Sequence, residues 1–241
     1  MSCTWQRQKP DGEWRTYHGT RVFEGTYRSR GLRCVPSWNG GMFEALMPTL
    51  FLPEAQWAPR SWGVNHRLFV RAQIEHGRAT EKGWWGFSPC ANPEGGYREY
   101  GVKSLAIGPN SRSSDGVVTP HACFLALPFA PRAVLKTLAA LERTFDDVYD
   151  DEYGFRDAVN VDTGLVARRV LMLDEGMILI AIANAVCDKP PLHYVSEVLQ
   201  PAIRPLIESE EFTAGRVWAA SLRRGWSLRR PGSPSQPQTT V

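Results

Sequence analysis

The run Glu152-Tyr153-Gly154-Phe155-Arg156-Asp157-Ala158-Val159-Asn160 gathers acids, an amide and aromatic rings around one glycine turn. Such groups can grip a sugar, since rings stack on its apolar faces while carboxylates and amides bind its hydroxyls. Cleaving a glycosidic bond takes one carboxylic acid to protonate the leaving oxygen and a second carboxylate as base or nucleophile, so the acids are the first groups to place. Asp157 belongs to this turn, and its competing reading is a capping aspartate that binds backbone N–H groups. Glu44 lies in Gly40-Gly41-Met42-Phe43-Glu44-Ala45-Leu46-Met47-Pro48 among apolar neighbours. Burial there raises a carboxyl pKa toward the range of a general acid, while a helix glutamate paired with a nearby arginine is the alternative.

Asp115 and His121 flank Thr119-Pro120, the signature of a helix start, where side chains and free backbone amides either bind sugar hydroxyls or serve only as caps. Asp174 and Glu175 interrupt the most apolar run of the chain. Charges in such a run are costly unless they are paired or face a cleft, which gives them a structural or substrate-orienting role. Trp38, Trp62, Trp84, Trp85, Tyr97, Tyr100 and Tyr153 are candidates for stacking on pyranose rings, although most tryptophans simply fill cores. Glu94 and Glu99 are further carboxylates, in a glycine-rich loop.

Together with that turn, Ser37-Trp38-Asn39-Gly40-Gly41-Met42-Phe43-Glu44-Ala45-Leu46-Met47-Pro48, Trp85-Gly86-Phe87-Ser88-Pro89, Asp115-Gly116-Val117-Val118-Thr119-Pro120-His121-Ala122 and Leu173-Asp174-Glu175-Gly176-Met177 occur in an order that resembles the glycoamylase-like domain family. That family includes the β-1,2-glucan-active enzymes of glycoside hydrolase family 144, and the resemblance runs over about residues 25–212. It implies an all-α fold of (α/α)6 toroid type, with a substrate cleft at one end of the ring of helix pairs. It also implies an oligo- or polysaccharide substrate of β-glucan type, with Asp157 and Glu44 in the acid and base roles. Trp38, Trp85, Tyr100, Asp115, His121, Tyr153, Asn160 and Asp174 would then bind substrate. Asp157 falls where relatives have Tyr-Gly-Phe-Tyr followed by Asp or Glu. One departure stands out: the cyclic-glucan-synthase branch continues its tryptophan-glycine motif with isoleucine, serine and a glutamate, whereas Pro89 follows Ser88 here. A catalytically inactive carbohydrate-binding or regulatory remnant is therefore the alternative function.

With 241 residues, 43% of them hydrophobic and 22% charged, the chain can bury a sizeable core. The net charge of +3 and the lack of a basic run interleaved with aromatics argue against nucleic acid as a partner. No apolar run reaches the roughly 20 residues a bilayer span needs, and the first residues lack the apolar stretch of a signal peptide, which makes the cytoplasm the default expectation. Cys3, Cys34, Cys90, Cys123 and Cys187 are scattered without CxxC pairs or histidines at ligand spacing, so neither a disulfide framework nor a metal site is expected. No phosphate-cradling glycine motif follows a strand, and no organic cofactor is expected.

Residues 1–24 read as an irregular polar segment, 25–225 as a partial glycoamylase-like domain and 226–241, rich in Pro, Ser and Gln, as a disordered tail. The expected helices are one from residue 42 kinked at Pro48, one at 61–80, one from Thr119-Pro120 to about 128, one from Pro131 to about 145, a core helix at 166–187, one at 191–208 interrupted by Pro201 and Pro205, and a last at 213–225. The stretch 83–114 is a long loop with short extended pieces. A toroid needs roughly a dozen helices of the usual three turns, about twice this number. The sequence is thus expected to be the C-terminal part of a barrel, completed by an N-terminal part or by oligomerisation.

Overall fold

The computed structural model describes residues 13–17, 19–108 and 115–214. In its helix α3 (Trp62–Thr80), Trp62, Asn65, His66, Phe69, Val70, Gln73 and Gly77 recur every three or four residues and form the buried face. Arg71 points outward, and Arg78 pairs with Glu75 at 3.0 Å. The apolar part of this face meets α1 (Met42–Leu46), which gives way to a 3-10 turn at Met47–Leu50 because Pro48 has no N–H to extend the α-helical ladder. A single turn, α2 (Glu54–Trp57), follows and packs on α3. Helix α4 (Pro120–Leu125) is buried along its whole length between α1, α5 (Pro131–Thr144) and α6 (Met172–Val186). Helix α7 (Pro190–Ile207) lies against α6 and α2. Met42, Leu46, Phe69, Phe87, Leu125 and Leu141 centre the main core. Gln73 adds a polar tie there, donating from Nε2 to the Gly40 carbonyl at 2.7 Å and accepting at Oε1 from the Phe87 N–H at 3.1 Å.

The all-α expectation needs correcting, since short antiparallel pairs join the helices. They are β1 (Glu13–Tyr17) with β2 (Thr20–Glu24), β3 (Tyr27–Ser29) with β4 (Leu32–Cys34), β5 (Cys90–Ala91) with β6 (Tyr97–Arg98), β7 (Val117–Val118) with β10 (Val159–Asn160), and β8 (Tyr149–Asp150) with β9 (Gly154–Phe155). Most are two residues long, too short for an alternating pattern to show in sequence. The first pair lies within the segment expected to be irregular. Its signal is a cross-strand aromatic pair, Trp14 and Phe23 at 5.5 Å, rather than a periodicity.

Helix α6 starts at Met172 rather than 166, because the stretch before it is extended: Val166 bridges Val159, and Ala167 donates its N–H to the Ala158 carbonyl. Nor is α6 buried all round as its apolarity led one to expect. Met177, Ile178 and Ala181 face the core, whereas Leu173, Leu179 and Val186 are 61%, 68% and 76% exposed, leaving an apolar outer face. Helix α7 runs unbroken through Pro201 and Pro205, since each proline forfeits one backbone donor while flanking bonds persist. Thr119 precedes α4 but makes no cap; its hydroxyl donates to the Gly86 carbonyl instead. Apart from its first residues, the helix expected at 213–225 lies outside the described residues, as does the tail at 226–241.

Gly77 shows how tightly α3 is packed: a Cβ there would stand 1.9 Å from the Trp84 carbonyl oxygen and 2.8 Å from the Trp85 Cβ. Alanine is the better helix former by about 1 kcal/mol, but overpacking against fixed backbone outweighs that. Gly77→Ala is expected to destabilise the fold by about 1–3 kcal/mol in urea denaturation, and a stabilised variant would contradict this packing.

Candidate active site

The turn singled out in the sequence is held by Asp150. Its Oδ1 accepts the N–H groups of Glu152 at 2.9 Å and Tyr153 at 3.0 Å, and its Oδ2 accepts from Arg156 Nη2 at 2.8 Å. The Glu152 and Tyr153 amides, with the Arg156 charge, hold the Asp150 carboxyl below the usual range. Gly154 occupies φ +87°, as the hairpin between β8 and β9 requires. Phe155 then packs edge-on against Tyr149 and Phe124, which points the following residues inward.

Asp157, the next acid, is sealed in the interior. Its Oδ2 accepts the backbone N–H of Ala91 in β5. The β7–β10 pairing brings the start of α4 alongside, and with it His121, whose Nδ1 lies 3.9 Å from Asp157 Oδ1. The first turn of α6 adds Asp174, with Oδ2 at 3.5 Å from the same nitrogen. His121, Asp157 and Asp174 thus offer ligand atoms all within 4.8 Å of one another, and each residue is buried. Sequence spacing predicts no such set, because its members are separated by whole elements. Neither His121 nitrogen, nor Asp157 Oδ1, nor Asp174 Oδ2 has a protein hydrogen-bond partner.

Burial dominates the electrostatics here. It pushes Asp174 well up, and the neighbouring charges of Asp157 and Glu175 add to the rise. Glu175 is raised to about 7 by burial and by Asp157. Burial lowers His121 to about 4, partly offset by Asp157. The Cys90 thiol is pushed far up by burial, then by Asp157 and Asp174. Tyr97, largely exposed, is also raised, by its partial burial first and by these same acids after it.

Glu44 forms a second, separate acidic point. Its Oε2 accepts the N–H groups of Trp38 at 2.6 Å and Asn39 at 3.3 Å, and burial raises its pKa, with Glu99 adding to the effect. No arginine pairs with it among the described residues; its partners are the Trp38 and Asn39 amides and the Ser37 hydroxyl. Of the expected sugar-binding groups, Trp85 and Tyr100 are core residues, with the Tyr100 hydroxyl donating to Asn92. Trp38 is half-buried, and Tyr153 is exposed. Asn160 accepts the Asp162 and Thr163 amides in a tight turn and donates to the Asp115 carbonyl, while Asp115 itself is exposed. Trp62 donates to Glu210, Trp84 packs on Phe145, and Tyr97, Glu94 and Glu99 are exposed. Sequence reasoning undervalued Glu175, which is half-buried against the turn: its Oε2 lies 3.0 Å from where a Gly154 Cβ would stand. The signal available was its place beside Asp174 in an apolar helix.

The sequence profile of the Glycoamylase family, described as "Putative glucoamylase", matches residues 10–189. Over 164 residues the chain is 33% identical to the cyclic β-(1,2)-glucan synthase NdvB of Rhizobium meliloti (strain 1021), covering 62% of this chain and 6% of that protein. Its fold is similar to an endo-β-1,2-glucanase from Chitinophaga pinensis, solved with sophorotriose and glucose, with a TM-score of 0.53, 18% identity, and coverage of 72% of this chain and 45% of that one. It is also similar to an endo-β-1,2-glucanase from Talaromyces funiculosus, solved with sophorose, with a TM-score of 0.57, 15% identity, and coverage of 91% and 41%. The chain therefore spans a small fraction of the curated relative and less than half of these solved structures.

Because burial raises the Glu44 pKa, the folded chain holds a proton that the unfolded chain has already released. Stability should therefore fall as pH rises from the ordinary glutamate range through the folded value, and level off above it. Glu44→Gln keeps an oxygen for the Trp38 N–H and is expected to remove this part of the fall when urea midpoints are measured against pH. Parallel wild-type and variant profiles would contradict it.

Proposed function

Because the chain belongs to the glycoamylase family, we propose that it is a carbohydrate-active protein of the glycoside hydrolase type, acting on a β-glucan through paired carboxylates. The observation that carries this reading is the family's turn at residues 153–160 joined to a cluster of acids at the start of α6, with Tyr153 and Tyr97 exposed beside it. Glu44 takes the role of acid. Glu175, half-buried against the turn, supplies the second carboxylate. Asp157, first in line on sequence grounds, is enclosed and bound to Ala91, so it serves as a positioning residue that fixes β5 against the turn. Trp38, Asp115 and Asn160 orient sugar hydroxyls at the rim, with His121 and Asp174 supporting from beneath. The helices form part of an (α/α)6 toroid, and further helices, or a second copy of the chain, cover the apolar outer face of α6 and α7.

A non-catalytic glucan-binding remnant is the second reading, favoured by the buried Pro89 where one branch of the family has a glutamate and by the enclosure of Asp157. Release of reducing ends from β-1,2-glucan separates the two. Activity in the wild type that falls about 100-fold or more in Glu44→Gln supports hydrolysis. Glucan binding without any release supports the remnant, and neither binding nor release sinks both. In size-exclusion chromatography with light scattering, the isolated chain is expected to associate, since apolar patches above a few hundred Å² drive association. A freely soluble monomer would show that the outer face of α6 needs no cover.

A further inference from the structure

We propose that His121, Asp157 and Asp174 form a binding site for one divalent transition-metal ion of the zinc class. The three donors converge from α4, the turn after β9 and the first turn of α6. The independent sign of a missing ligand is the state of their atoms. His121 is 1% exposed and neither ring nitrogen has a partner, while Asp157 Oδ1 and Asp174 Oδ2, directed at it, have none either. Buried polar atoms left unmatched are rare and point to an unseen ion or water. A cation answers the need of both carboxylates and the imidazole at once.

The spacing selects among ions. A tetrahedral zinc with ligands at about 2.0–2.2 Å sets its donors about 3.3–3.6 Å apart. His121 Nδ1 stands 3.5 Å from Asp174 Oδ2 and 3.9 Å from Asp157 Oδ1, and all three donors lie within 4.8 Å of one another, at or somewhat wider than tetrahedral spacing. Octahedral magnesium would need neighbouring donors at about 2.9 Å, closer than either pair, and calcium wants six or more oxygens where this set gives a nitrogen and two carboxylates. Three protein ligands leave a fourth position for water. This site lies beyond the hydrolytic reading above and does not depend on it.

Zinc binding to the chelator-stripped full chain tests the proposal, with equilibrium dialysis and elemental analysis giving stoichiometry and affinity. Cobalt substitution reports the ligand type through its visible spectrum, which separates imidazole and carboxylate from thiolate at the exposed Cys187. The expected result is one ion per chain, a tetrahedral cobalt spectrum without a thiolate charge-transfer band, and affinity lowered about 100-fold or more in both His121→Ala and Asp174→Asn. Wild-type chain that takes up no ion overturns the site, and so does binding that survives both substitutions. The wild-type measurement decides even where a variant fails to fold, and hydrolysis plays no part in the readout.

Discussion

The carboxylate of Asp157 is held away from water, and the polar groups set around it come from distant parts of the chain. One oxygen is fixed by the Ala91 amide and the other faces His121 and Asp174. Strand β5, the turn after β9, helix α4 and helix α6 are therefore drawn to one buried polar cluster, and separating any of them would leave its acids with still fewer polar neighbours. Apolar packing alone would tolerate small slides of α6 past α4; a buried polar cluster does not. The same enclosure accounts for the pKa pattern, in which burial raises Asp174 and lowers His121.

Much of the helical framework was legible because it rests on local rules. Pro131 opens α5, and Val134, Leu138 and Leu141 recur at helical spacing on its inner side, while Leu135 faces solvent. The run at residues 152–160 does contain a glycine hairpin, as its residue types suggest. What the sequence could not convey is direction and depth. Trp85 and Tyr100 carry the rings a sugar site wants, yet they fill the core, because nothing local tells which side of a loop meets water. His121, Asp157 and Asp174 are separated by whole elements, so their meeting depends on the β7–β10 pairing and on where α6 begins, and no spacing rule reaches that far.

Helix α6 illustrates a conflict between composition and placement. Its first turn turns Asp174 inward, toward the other acid, and this polar commitment sets the rotation of the helix about its axis. Leu173, Leu179 and Val186 are then obliged to point outward, whatever their preference. The apolar outer face is thus a by-product of where the acid must go, and it reconciles a hydrophobic sequence with a surface position.

Gln73 gives α3 a mechanical role. Its single side chain grips the Gly40 carbonyl and the Phe87 amide from within the core, so the loops around Gly40 and Phe87 are clamped to one helix. Neither loop can breathe alone without stranding a buried hydrogen-bonding group. Their positions are tied through one side chain, so a change at residue 73 reaches both loops at once.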